Sequence, residues 1–117
     1  MTAEIDIEKH WTVEDYLGFD DDQRYEIIEG DLWMPPAPTD GHQRIITRLG
    51  TFIDMHVIQN DLGECRDAPF DVYLADDTVV QPDFTFVSKE RVSEVLNRRG
   101  AQAAPDLVIE VLSPSTA

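Results

Sequence analysis

The amino-acid sequence predicts an α/β or α+β domain, a mixed β-sheet flanked by helices. Two observations carry that expectation. Helical and strand-like patterns succeed one another as helix, hairpin, helix, hairpin, helix, strand. The composition, 42% apolar and 9% aromatic over 117 residues, suits one small globular domain with a modest core. The expected domain spans 1–117, with an N-terminal helix and hairpin over 12–34 and a core over 40–117. Internal repeats and low-complexity segments are absent from the sequence.

Thr12 before Val13, Glu14 and Asp15 reads as a helix start, a hydroxyl cap with acids in the first turn; this helix is short and ends by Gly18. RYEIIEGDLWM alternates and turns at Glu29-Gly30, as a β-hairpin does. Pro35-Pro36-Ala37-Pro38 cannot continue a sheet ladder and marks a loop. Thr39 or Asp40 then caps a helix predicted over 41–59, whose apolar face is expected to hold Ile45, Ile46, Leu49, Phe52, Ile53 and Val57. Asn60-Asp61-Leu62-Gly63 ends it. PFDVYLA and VVQPDFTFV predict two strands joined by a turn at Asp76-Asp77. Lys89 to Arg99 is polar with Val92, Val95 and Leu96 on one side, which predicts a short amphipathic helix with Gly100 as its C-cap. Pro105-Asp106 leads into a last strand, DLVIEVL, and SPST after it looks like a helix start.

Charge and cysteine content narrow the function. Nine Lys and Arg against 24 Asp and Glu give a net charge of -15, which repels polyanions unless a local patch or a bound metal reverses the field. Cys65 is the only cysteine, which excludes an internal disulfide and a thiolate metal cluster and leaves an idle thiol as the expectation. The sequence has no apolar stretch near the roughly 18–20 residues of a membrane span. The acidic start, MTAEIDIEKHW, shows no signal peptide, so a cytoplasmic protein is expected.

Two carboxylates stand where burial would be expensive. Glu110 interrupts the aliphatic run of Leu107, Val108, Ile109, Val111 and Leu112, and Asp83 lies within VVQPDFTFV. If the two strands are neighbours, the acids face each other across about 5 Å of backbone separation. Acids that close repel, and one pKa rises unless a cation lies between them. Carboxylate oxygens at about 2.1 Å suit magnesium. The spacing is equally compatible with Pro82-Asp83 as a turn and Glu110 on a solvated edge.

Read together, YEIIEGDLWM, PAPTDGHQRI, DVYLADDTVVQPDFTFVS and APDLVIEVLSPST resemble the Uma-type restriction-endonuclease family of the PD-(D/E)XK nuclease superfamily, from about Tyr25 to the last residue. The resemblance implies an αβββαβ nuclease core, a Mg²⁺ or Mn²⁺ site, DNA as substrate and a homodimer. It makes Asp83 the PD aspartate and Glu110 the acid of the (D/E)XK element, both metal ligands. It also puts Glu26 near the site as a further ligand or water-orienting acid. His42, which matches the family's histidine before Gln43, becomes a residue that orients a phosphate or ligand. The superfamily's lysine two residues past the acid is replaced by Leu112. In the Uma-type family that lysine is displaced to a helix after the SPST segment, so the chain is expected to be a truncated member with its C-terminal part missing and with weak or no cleavage by itself. Lys9 and Lys89 are its only lysines. Lys89, six residues past Asp83, lies roughly 20 Å along an extended strand, beyond side-chain reach.

Arg44 and Arg48, four apart on the long helix, could meet a phosphate but read more simply as solvated residues; Trp11 and Trp33 could stack on bases but read more simply as packing anchors. Three functions therefore compete. They are a metal-dependent DNA endonuclease, a non-catalytic interaction module on the same fold, and an acidic mimic of nucleic acid supported by net charge alone.

Overall fold

The computed structural model describes residues 3–4, by their backbone, and 9–112. Two β-sheets and one long helix build it. The chain starts with β1 (Ala3–Glu4) and the short helix α1 (Val13–Leu17). Thr12 and Asp15 cap α1 reciprocally: Asp15 N–H donates to Thr12 Oγ1, and Thr12 N–H donates to Asp15 Oδ2 at 3.0 Å. β2 (Glu26–Ile28) and β3 (Asp31–Met34) form the expected hairpin. Its turn residues Glu29 and Gly30 have φ of 50° and 85°, the left-handed pair a tight hairpin demands. A Cβ on Gly30 would fall 2.2 Å from the His10 ring, so glycine also lets the N-terminal segment lie across the turn.

α2 (Asp40–Gln59) begins at a Thr39 cap, whose hydroxyl accepts from His42 N–H at 3.2 Å. The predicted bounds agree closely, but the buried face differs. Ile46, Gly50 and Val57 are buried and Ile53 half-buried, whereas Ile45, Leu49 and Phe52 are exposed, Phe52 at 76%. Two apolar stripes run side by side on this helix, and only the one containing Gly50 fits against the sheet. A Cβ on Gly50 would sit 3.3 Å from the Phe84 ring, so glycine permits the close approach.

β4 (Gly63–Asp67), β5 (Val72–Ala75), β6 (Thr78–Val80) and β7 (Phe84–Ser88) follow. β5 and β6 pair around Asp76-Asp77 as expected. VVQPDFTFV is not one strand, however. It breaks at Gln81-Pro82-Asp83, and β6 and β7 belong to different sheets. Pro82 lacks the N–H that a continuous ladder needs. β4 is an element beyond those the sequence predicts, because Gly-Glu-Cys-Arg-Asp has few strand-formers; five paired positions along β7, from Gly63–Ser88 to Asp67–Phe84, hold it extended.

The expected helix over 89–99 is shorter. A 3₁₀ turn (Lys89–Arg91) leads into α3 (Val92–Val95), and β8 (Leu96–Asn97) and β9 (Gly100–Ala101) then form a small hairpin. Gly100 is therefore a strand residue, not a helix cap. β10 (Leu107–Ile109) covers only the first part of DLVIEVL, and it is an edge strand with Leu107 and Val108 exposed. Asp106 clasps its start, accepting from Ser88 N–H at 2.7 Å and pairing with Arg91 at 2.9 Å. The SPST segment lies outside the described residues.

The larger sheet runs β1-β3-β2-β6-β5-β9-β8 and the smaller β10-β7-β4. It is mixed, as predicted: β5 and β9 pair in parallel, the remaining pairs antiparallel. Ile27, Leu32 and Val79 are buried where β2 meets β3 and β6. Val72, Val87, Val95 and Ala101 form a core cluster joining the two sheets. Burying an aliphatic side chain of this size stabilises by about 1.5–3 kcal/mol, so these contacts fix the point where the chain leaves one sheet for the other. That crossing is Gln81 to Asp83.

Candidate functional site

β10 pairs with β7 in antiparallel register through Ile109–Phe84. Asp83 and Glu110 are the next residue on each strand, so they face each other just past the last ladder pair. Their side chains clasp the opposite backbones. Val111 N–H donates to Asp83 Oδ2 at 2.7 Å, and Asp83 N–H donates to Glu110 Oε1 at 3.2 Å. The aliphatic run thus carries a carboxylate because its strand has ended there, at a mouth open to solvent.

α2 delivers His42 to the same place. Its Nε2 lies 3.0 Å from Asp83 Oδ2, and both side chains are 13% exposed. The other ring nitrogen, His42 Nδ1, is buried without a hydrogen-bond partner among the described residues. Glu26, the first residue of β2, accepts from Gln81 N–H through Oε2 at 2.7 Å. Glu26, His42, Asp83 and Glu110 are therefore gathered from four segments of the chain at the crossing between the sheets.

Their electrostatics carry the mark of crowding. Burial raises the pKa of Glu110 above the ordinary carboxylate value, and the charges of Asp83 and then Glu26 raise it further, although its side chain keeps contact with solvent. Glu26 is also raised, chiefly by burial; the Gln81 N–H and the Arg24 charge oppose this, and Asp83 adds to it. Each carboxylate is anchored through one oxygen, leaving Asp83 Oδ1, Glu110 Oε2 and Glu26 Oε1 without a hydrogen-bond partner among the described residues.

Arg24 and Gln81 join the site without being among the candidates the sequence singles out. Arg24 Nε donates to Gln81 Oε1 at 2.9 Å, and Gln81 Nε2 donates to Asp71 Oδ1 at 2.8 Å and to the Tyr16 hydroxyl at 3.0 Å. The position of Gln81, next to Pro82-Asp83, was the only available hint. Other candidates lie elsewhere. Lys9 pairs with Asp15 at 3.3 Å and stands 4.4 Å from the Trp11 ring centre, and Lys89 pairs with Asp61, so neither lysine takes part. Glu29 is exposed, Arg44 and Arg48 are exposed on α2, and Trp11 packs against Phe19 at 5.8 Å between ring centres. Trp33 is half-buried on β3. The Cys65 thiol is pushed up to about 11, first by burial and then by Asp54, which leaves it unreactive near neutral pH.

An α+β domain that sets an aspartate and a glutamate face to face at the ends of neighbouring strands is consistent with the PD-(D/E)XK nuclease class. Residues 13–117 match the Uma2 family model, described as "putative restriction endonuclease", and the chain belongs to that family. A comparison with curated proteins finds no match.

Proposed function

We propose that this protein is a metal-dependent DNA endonuclease, hydrolysing phosphodiester bonds at a Mg²⁺ or Mn²⁺ ion shared by Asp83 and Glu110. The reading rests on the reciprocal clasp of these two acids at the sheet crossing. The donors suit such an ion. Magnesium commonly takes one or two protein carboxylates and fills its remaining positions with water and substrate phosphate. That need matches a pair with one free oxygen each; among the described residues no three metal-binding side chains are grouped closely enough to hold an ion by themselves. A cation would also relieve the repulsion that raises Glu110.

When bound, the ion would polarise a phosphate oxygen and lower the pKa of the water that attacks phosphorus. The protein's own groups do the positioning. His42 fixes the Asp83 carboxylate from the N-terminus of α2, and Val111 N–H holds the same oxygen from the other side. Glu26, steadied by Gln81 N–H and raised in pKa, orients the attacking water and accepts its proton. In the substrate-free protein, Arg24 balances part of the charge on Glu26.

The test is cleavage of supercoiled plasmid and of labelled duplex with Mg²⁺, Mn²⁺ or EDTA. Cutting that needs a divalent ion and disappears in Asp83→Asn and Glu110→Gln is the expected result. Metal-independent cutting, or cutting unchanged in both variants, contradicts the reading. One observation favours the alternative, a non-catalytic interaction module on this fold: neither lysine approaches the acidic pair. Metal binding without any cleavage under these conditions would support it. The homodimer belongs to the same proposal, with the exposed stripe of Ile45, Leu49 and Phe52 on α2 as the surface to be covered. Sedimentation equilibrium tests it.

A further inference from the structure

Beside the acidic site lies an open cleft of about 390 Å³, between the loop that follows β4 and the turn between β8 and β9. Its charge opposes that of the molecule. Arg66, Arg98 and Arg99 line it, together with Gln81, Asn97 and one acid, Asp71. Three of the chain's nine basic side chains therefore meet in one place, in a protein of net charge -15. Arg98 and Arg99 form no ion pair with any described residue. Arg66 holds Glu64 at 3.0 Å, an exposed pair that a stronger anion displaces at little cost. Asp71 faces its own donors, the hydroxyls of Tyr16 at 2.6 Å and Tyr73 at 3.3 Å and the Gln81 amide.

The cleft is built into the fold. Gly100 has φ of 136°, and a Cβ there would fall 2.1 Å from the Asp71 carbonyl oxygen, so only glycine lets β9 lie this close to the loop. Ala101 N–H donates to that same carbonyl at 2.9 Å. The loop is tied in turn to the acidic site, since Ala68 N–H donates to the Asp83 carbonyl at 3.0 Å. Gln81 stands between the two regions, its backbone holding Glu26 while its side chain lines the cleft. Gln81 and Asp83 are two residues apart, so their backbones lie within about 7 Å of each other. Charges on one nucleic-acid strand follow each other at roughly 3.4 Å of axial rise, so one strand with a phosphate at Asp83 would reach the cleft within a few nucleotides.

We infer that the Arg66–Arg98–Arg99 cleft is a phosphate subsite, taking a backbone phosphate of the nucleic-acid substrate beside the one that reacts. The inference rests on the nuclease reading and adds where the substrate strand runs. It also resolves the conflict between an acidic protein and an acidic substrate, through guanidiniums suited to two-pronged phosphate contacts.

The test measures binding of a labelled oligonucleotide duplex in Ca²⁺ over a range of salt, by fluorescence anisotropy, for the wild type, Arg98→Gln/Arg99→Gln, and Lys9→Gln/Lys89→Gln. The lysine pair supplies the same change in net charge away from the cleft. The arginine variant should bind at least tenfold more weakly, and the slope of log K against log salt should flatten by about one, the loss of one phosphate contact. The lysine variant should keep the wild-type slope. Equal losses in the two variants, or none in the arginine variant, overturn the subsite. If divalent-dependent cleavage still requires Asp83 in that case, the nuclease reading survives alone. Wild-type protein that binds no duplex overturns both. Inorganic phosphate that binds in an Arg98- and Arg99-dependent way, with no effect of these residues on duplex binding, would make the cleft a free-phosphate site and overturn the inference.

Discussion

His42 shows how one side chain prepares chemistry it does not perform. It reaches Asp83 from α2 at 3.0 Å and restrains the oxygen that Val111 N–H also holds. Removing such an outer contact to a metal ligand typically costs roughly 10–100-fold in metal affinity or activity. His42→Ala should therefore weaken Mn²⁺ binding by that factor, with His42→Gln recovering part of it; a calorimetric titration of each variant decides, and unchanged affinity in the alanine variant would refute the role. Glu110 and Glu26 make a second prediction. Both have pKa values raised in the folded protein above the ordinary 4.5, so the native state keeps its protons to higher pH than the unfolded chain does. Their contribution to stability is thus most favourable below about pH 4.5 and declines as pH rises through the raised values. In EDTA, Glu110→Gln should melt higher than wild type at pH 7 and lose less stability between pH 4.5 and 7. Thermal melts across that range test this, and Mg²⁺ should restore the wild type but not the variant.

The elements show why part of the fold could be read directly and part could not. The long helix, the first hairpin and the Thr12 cap follow from local signals: a helical period, a left-handed turn pair and a capping box. β4 has no such signal, since it is held by β7 rather than by its own residue types. Periodicity alone does not tell the buried stripe of α2 from the exposed one, because two apolar stripes share one helix and only tertiary contact selects between them. The aspartate and glutamate were legible as charges in apolar surroundings. Glu26 and His42 were legible only through the family resemblance, and Arg24 and Gln81 needed the crossing of the sheets to bring them near. Gly50 is the contact that seats α2 over Phe84 and so presents His42. Gly50→Leu should cost about 1–3 kcal/mol by overpacking and weaken metal binding along with stability. Leu32→Ala, at a buried position on β3 that holds no site residue, should cost about 2–5 kcal/mol while sparing metal affinity in the protein that remains folded. Chemical denaturation and metal titration of both variants separate the two effects.

At the scale of the whole molecule, two sheets meet where one strand must end and another begin, and the polar groups left over at that break are the ones that gather. The arrangement places a cluster of acids beside a cleft of arginines in a protein whose total charge is -15. Long-range repulsion should make duplex association slow at low ionic strength unless a divalent ion is present. Stopped-flow association rates with and without Ca²⁺ would register this. The most direct measurement is the titration of the intact protein with Mn²⁺, followed by calorimetry, for the wild type, Asp83→Asn, Glu110→Gln and the surface control Asp21→Asn. One ion per chain is predicted, with affinity reduced at least tenfold by either site substitution and unchanged by the control. Binding that ignores both Asp83 and Glu110 would contradict the account at its base.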